Sequence, residues 1–197
     1  MIKSDILRVV DKWKRKKGVK LYTPYKYFKG LKTVKDVHQR ADEILRGSKT
    51  DNDDPNAYRK SAFKTDRKAN TKLSPYTKMW YEKYPEKTSL TNKSKVTGVP
   101  LGTIKKVYRK GYAAWRTGHR VGATPEEWGY ARVHSFLLLG CTAMSADSKL
   151  LKDAVSVMKQ NDVKRILSQP VQCPKMKLKT PYYKRFEMTK FIKNHTG

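Results

Sequence analysis

Between Lys95 and Leu139 the chain carries two apolar stripes at helical spacing with a short basic turn between them, and no other stretch has as many regularly spaced apolar side chains. The first helix can start at Pro100, whose fixed φ suits a first helical position. Ile104, Val107, Tyr108, Gly111, Tyr112 and Trp115 then share one face, while Lys105, Lys106, Arg109, Lys110 and Arg116 fall mostly on the other. Thr117-Gly118 ends it. The second helix opens on Thr124-Pro125-Glu126-Glu127, which combines a capping hydroxyl, a proline at the first helical position and a capping-box glutamate. A structural role for both acids follows. From Val133 to Leu139 this helix is apolar nearly all round, so Phe136 is a core residue and Arg132 needs a carboxylate or a set of carbonyls to offset its burial. Trp115 and Trp128 are read as structural too.

The remaining residues are too polar and too basic for a second core of the same quality. Hydrophobic residues make up 38% of the 197 and charged residues 31%, and 45 Lys and Arg face 17 Asp and Glu for a net charge of +28. Such a chain repels itself unless negative charge lies beside it, which points to nucleic acid, an acidic protein surface or an anionic membrane face. The excess is spread out: residues 1–50 carry 15 basic against 5 acidic side chains, 59–95 carry 11 against 3, 96–161 carry 10 against 4, and 162–197 carry 9 against 2. A sequence-specific DNA reader tends to concentrate its charge on one face.

Cys141 and Cys173 are too few for a disulfide scaffold or a zinc site, so reduced thiols are the expectation, with no metal and no cofactor. The N-terminus lacks the apolar run of a signal peptide, and Phe136 to Leu139 is too short to span a bilayer.

Residues 5–16 predict a short amphipathic helix with Ile6, Val9, Val10 and Trp13 on one face and Ser4 as its cap; docking on a partner or the core is preferred to a membrane-surface role. An aromatic and basic segment follows, with Tyr25, Tyr27 and Phe28 as candidate contacts that anchor in a neighbour's grooves or stack on bases. Thr33 caps a helix that runs through Arg46. The acidic cluster Asp51-Asn52-Asp53-Asp54-Pro55 fails as a calcium loop, because Asn56 stands where glycine is needed and Ala62 where a glutamate is needed. Residues 48–74 read as a linker that orders on a partner, with one short helix after Pro75. Ser145 or Asp147 caps a third core helix, Asn161 a fourth, and the tail from Val171 repeats the aromatic and basic character with Tyr182 and Tyr183. The expected organisation is thus all-α, a small helical core over 96–168 with long extended basic arms: 1–47, a linker over 48–95, and a tail over 169–197.

The run from Gly111 to Phe136 resembles the signature of an uncharacterised domain family of large double-stranded DNA viruses of algae and giant viruses, and of some tailed phages. Gly111, Ala114, Trp115, Gly118, Arg120, Thr124, Pro125, Trp128, Ala131, Arg132 and Ser135 carry it, over roughly residues 74–155. The resemblance implies a viral origin and no active site. Joined to the spread charge and the arms, it leads to the expectation of a minor capsid protein in the virion of a large icosahedral DNA virus. That protein would lie on the inner face of the shell, hold major and minor capsid neighbours through its arms, and touch packaged DNA nonspecifically. Arg116, His119 and Arg120 would project as a contact for an acidic partner or phosphate.

The alternative is a nucleic-acid-binding protein. Residues 95–108 have the rhythm of a helix-turn-helix with Lys105, Lys106 and Arg109 outward, but the helix that must precede the turn would fall in 85–94, a poor helix former. An enzyme is not expected, since Glu126, Glu127, Asp147 and Asp153 all have capping or surface explanations.

Overall fold

The computed structural model describes residues 1–50, 63–69, 71–173, 190 and 193–195, and these are all-α. The helices are α1 (Lys3–Lys17), α2 (Val34–Lys49), α3 (Pro75–Lys83), α4 (Leu90–Thr97), α5 (Leu101–Arg116), α6 (Pro125–Leu137), α7 (Ser148–Val155) and α8 (Gln160–Leu167). Short 3-10 turns occupy Tyr25–Tyr27 and Lys64–Lys68. Among the described residues there is no strand, only an isolated parallel bridge between Gly140 and Gln172. No described helix is long and apolar enough to cross a membrane.

The chain forms two compact units, Met1–Lys72 with Tyr112–Trp128, and Leu73–Gly111 with Gly129–Gly197. Residues of α5 and α6 are divided between them. In the first unit, Ile6, Val10 and Trp13 of α1 and Val37, Ala41 and Ile44 of α2 are buried with Phe28, Leu31, Phe63, Trp115 and Val121. The N-terminal segment is therefore no arm. Its two amphipathic stripes meet each other, and the Trp13 indole donates to Asp42 Oδ1 at 3.2 Å, so 1–49 supplies most of a core that 96–168 alone would lack. Thr33 caps α2 by accepting from the Asp36 amide at 3.1 Å, in the place the sequence indicates.

In the second unit, Trp80, Val99, Ile104, Val107, Val133, Phe136 and Leu137 pack with Leu151, Ala154, Val163, Ile166 and Leu167. Further expectations change here. The stretch 48–95 holds two helices, α3 and α4, rather than one. Cys141 and Cys173 are joined in a disulfide, not free, because Gln172 pairs with the chain at Leu139 and Gly140 and sets the two cysteine Cα atoms 4.6 Å apart. Asp147 precedes α7 without capping it, and Lys159 rather than Asn161 precedes α8. The acidic cluster at 51–55, most of the 48–74 linker, and Tyr182 and Tyr183 lie outside the described residues.

Candidate nucleic-acid interface

Helix α4 forms although its sequence, LTNKSKVT, has little apolar periodicity. Ser89 caps its start by accepting from the Asn92 amide at 3.0 Å. Its inward face is made by Lys93 and Thr97, whose hydroxyl donates back to the Lys93 carbonyl at 2.7 Å. Lys93 is fully buried, with its ammonium donating to the Lys87 and Thr88 carbonyls at 2.5 Å each and lying 5.3 Å from the ring centres of Trp80 and Tyr130 and 5.7 Å from Tyr81. Desolvation lowers its pKa to about 8.

A turn of three residues, Gly98-Val99-Pro100, then leads into α5. Gly98 adopts φ 75°, in the left-handed region, and a Cβ there would lie 2.3 Å from Asp162 Cγ, so the turn requires glycine on both counts. Ser94 Oγ donates to the Val99 carbonyl at 2.7 Å and the Val99 amide donates to Thr97 Oγ1 at 3.3 Å, which ties turn to helix. Val99, Ile104 and Val107 are fully buried. On the opposite side of α5, Gly102, Lys105, Lys106, Arg109 and Lys110 are exposed, and a side chain at Gly102 would meet open space. Lys110 reaches Asp147 Oδ1 at 2.6 Å and the Ala146 carbonyl at 2.9 Å. Arg132 holds the same fully buried Asp147 through two bonds, Nε to Oδ2 at 2.8 Å and Nη2 to Oδ1 at 2.9 Å. That carboxylate neutralises the charge inside α6 that the sequence left without a named partner.

The basic turn 116–120 has a different character from the one expected of it. Arg116 does not project: its Nη1 donates to the Gly47 carbonyl at 3.1 Å and to the Thr50 carbonyl at the end of α2. His119 is fully buried and stacks on Trp115 with ring centres 4.2 Å apart. Its Nδ1 lies 2.7 Å from the Trp115 carbonyl and its Nε2 2.9 Å from Asp66 Oδ2. Burial lowers the ring's pKa, with Arg40 acting in the same sense and Asp66 against it. Both nitrogens nevertheless face acceptors, and only the imidazolium donates to both. Burial also pushes Asp66 upward, but bonds from His119 and the Gly122 amide, with Arg40 beside it, hold it below the usual carboxylate range.

Arg40 completes this cluster. It is fully buried and donates to the Tyr27 and His119 carbonyls, at 3.2 and 2.9 Å, and to Thr65 Oγ1 and Asp66 Oδ1, at 3.2 and 2.9 Å. The turn is pulled inward by these groups, so His119 is a structural residue, and Arg120 is half-buried. Gly118, at φ 134°, lets Tyr27 approach: a Cβ would sit 2.4 Å from its ring.

Among the aromatic candidates, Phe28 and Tyr27 are buried and Tyr25 is half-buried, with burial raising the Tyr27 hydroxyl to about 12. Trp115 and Phe136 are fully buried, and Trp128 is half-buried with its ring 6.3 Å from Tyr27. The structure thus keeps Lys105, Lys106 and Arg109 together on an open helix face and removes His119, Tyr27 and Phe28 from any surface contact. No group of three or more His, Cys, Asp or Glu among the described residues is placed to hold a metal ion.

The profile of a family of unknown function, DUF5824, matches residues 24–155, more than half of the chain. The chain belongs to that family. The match takes in α2 to α7, and so includes both the exposed α5 face and the Arg40 cluster. It begins at residue 24, ahead of α2, consistent with residues 24–49 being part of the folded chain. No curated protein and no solved structure matches the chain.

Proposed function

We propose that the chain binds duplex DNA through α4, the Gly98 turn and α5, with Lys105, Lys106 and Arg109 on the phosphates flanking the groove that α5 enters. One observation carries this reading: an eight-residue helix, a three-residue turn opened by a left-handed glycine, and a following helix whose apolar side is buried and whose outer side is bare and basic. That is the order and spacing of a helix-turn-helix, in which the second helix lies in the major groove. B-form DNA admits a helix there and A-form RNA does not, so DNA is the favoured duplex. The helix whose absence weakens the sequence signal is present as α4. The test is anisotropy of a labelled duplex with the full chain: Lys105→Glu, Lys106→Glu and Arg109→Glu combined should weaken binding at least about tenfold with the helical circular dichroism unchanged. Equal affinity of the triple variant would overturn the assignment.

A second reading, a minor capsid component on the inner face of a large icosahedral DNA virus shell, draws on the resemblance noted above and on one further observation. Exposed Lys12, Arg15, Lys16 and Lys17 on α1 place basic surface on the unit that lacks the α4 turn. It loses the N-terminal arm as a means of holding neighbours. Detection of the chain in DNA-free purified shells, at a fixed ratio to the major capsid protein, would support this reading over the first.

A further inference from the structure

We propose that the segment between α1 and α2 is a second binding site, for single-stranded DNA, with Tyr22 as the stacking platform for a base and Lys26 and Lys29 as phosphate contacts. Residues 20–32 contain four lysines, Lys20, Lys26, Lys29 and Lys32, and no acid, and all four are exposed. The backbone that carries them is anchored in the first unit. Phe28 and Leu31 are buried there, a 3-10 turn spans Tyr25–Tyr27, and the Tyr27 carbonyl accepts from Arg40 Nε at 3.2 Å. A segment already ordered by the fold loses little freedom when a ligand arrives.

Tyr22 departs from the pattern of its neighbours. Tyr27 and Phe28 are buried, whereas Tyr22 is 70% exposed and is the one exposed aromatic side chain among the described residues. It meets Tyr27 edge to face, with ring centres 6.2 Å apart and planes at 90°, and Tyr27 lies 6.3 Å from Trp128. Lys26 Nζ sits 5.4 Å from the Tyr27 ring centre and 5.7 Å from that of Trp128. An open ring and an ammonium therefore stand on the same buried tyrosine.

An unpaired strand uses both groups at once, since a base can stack on the ring while a lysine meets the adjoining phosphate. A duplex keeps its base faces stacked inside, and an acidic peptide would need only the lysines. Every base has a π-face, so binding here carries little sequence preference. The site stands on the residues of the first unit; only the choice of DNA over RNA rests on the duplex DNA proposed for α5.

The test titrates the full chain into a labelled oligodeoxythymidine at several salt concentrations. Tyr22→Ala should weaken binding at least about fivefold and leave the salt dependence unchanged, because stacking involves no charge, while Tyr22→Phe should retain the affinity. Lys26→Gln with Lys29→Gln should instead make the slope of log K against log salt shallower by about 1.4. Tyr22→Ala should leave duplex affinity as it is, and its effect on the single strand should persist when Lys105, Lys106 and Arg109 are reversed to Glu, so the two sites succeed or fail separately. Equal affinity of Tyr22→Ala for the single strand would overturn the proposal. So would a loss with Tyr22→Phe as large as with Tyr22→Ala, or an equal loss of duplex binding. Tighter binding of oligouridine would overturn the assignment to DNA.

Discussion

Arg40 shows how much of the first unit rests on one charge. It lies on α2 among Val37, Ala41 and Ile44, where helical periodicity calls for an apolar side chain. The guanidinium is tolerated there because carbonyls from two other segments and the Asp66 carboxylate take up its donors. Arg40→Ala leaves Asp66 with a reduced share of compensating charge and should lower the unfolding free energy by about 3–5 kcal/mol in urea titration. A cost below about 1 kcal/mol would show that the cluster is not closed in solution. None of this was legible beforehand, because the partners come from residues 26 and 79 positions away in sequence. The partial burial of Arg132 was legible from the apolar run around it, but Asp147 could not be picked out from the other carboxylates.

His134 supplies a pH test at the same scale. Desolvation, with Lys93 adding to it, lowers its pKa to about 3, against an ordinary value of 6.5. The unfolded chain therefore binds the proton more readily, so stability is retained above about 6.5 and falls progressively as pH drops from there toward about 3. Lys93 acts in the alkaline range: with its folded pKa near 8 and its ordinary value 10.5, stability should rise as pH climbs between them. Denaturation midpoints across pH 4 to 10 check both signs. His134→Gln should make the acid limb shallower, His119 still contributing in the same sense, and leave the alkaline one in place.

At the scale of elements, α4 explains why the sequence understates this fold. A helix whose buried face is an aliphatic lysine stem and a threonine shows no apolar stripe, although its cap, Ser89, and its stop, Gly98, are visible. Helices α5 and α6 have both stripes and boundary signals, and they appear where the sequence places them; the Thr124 and Glu127 pair even closes reciprocally, at 2.8 and 3.1 Å. Gly98→Ala tests the turn. The left-handed φ alone costs a β-carbon about 1–2 kcal/mol, and the clash with Asp162 adds to it, so the midpoint of thermal unfolding should fall by several degrees. Unchanged thermal stability would mean that the turn is not held as described.

For the whole molecule, the all-α class was legible and the division into two units was not. The apolar stripes of α1 and α2 were visible, yet the sequence left open whether the first docks on a partner or on the core. They are in fact surfaces for each other and for Trp115. The same lesson applies to the basic residues, since sequence alone cannot tell Arg40, Lys93 and Arg116, which are spent inside the fold, from Lys105, Lys106 and Arg109, which remain open. The central claim is that this open set meets the phosphates of DNA. The most direct measurement is the affinity of the full chain for a short duplex across a range of salt concentrations. Log K should fall linearly with log salt, and the slope should become shallower by about 2–3 when Lys105, Lys106 and Arg109 are all reversed to Glu. No duplex binding at low salt, or a slope that the three substitutions leave unchanged, would contradict it.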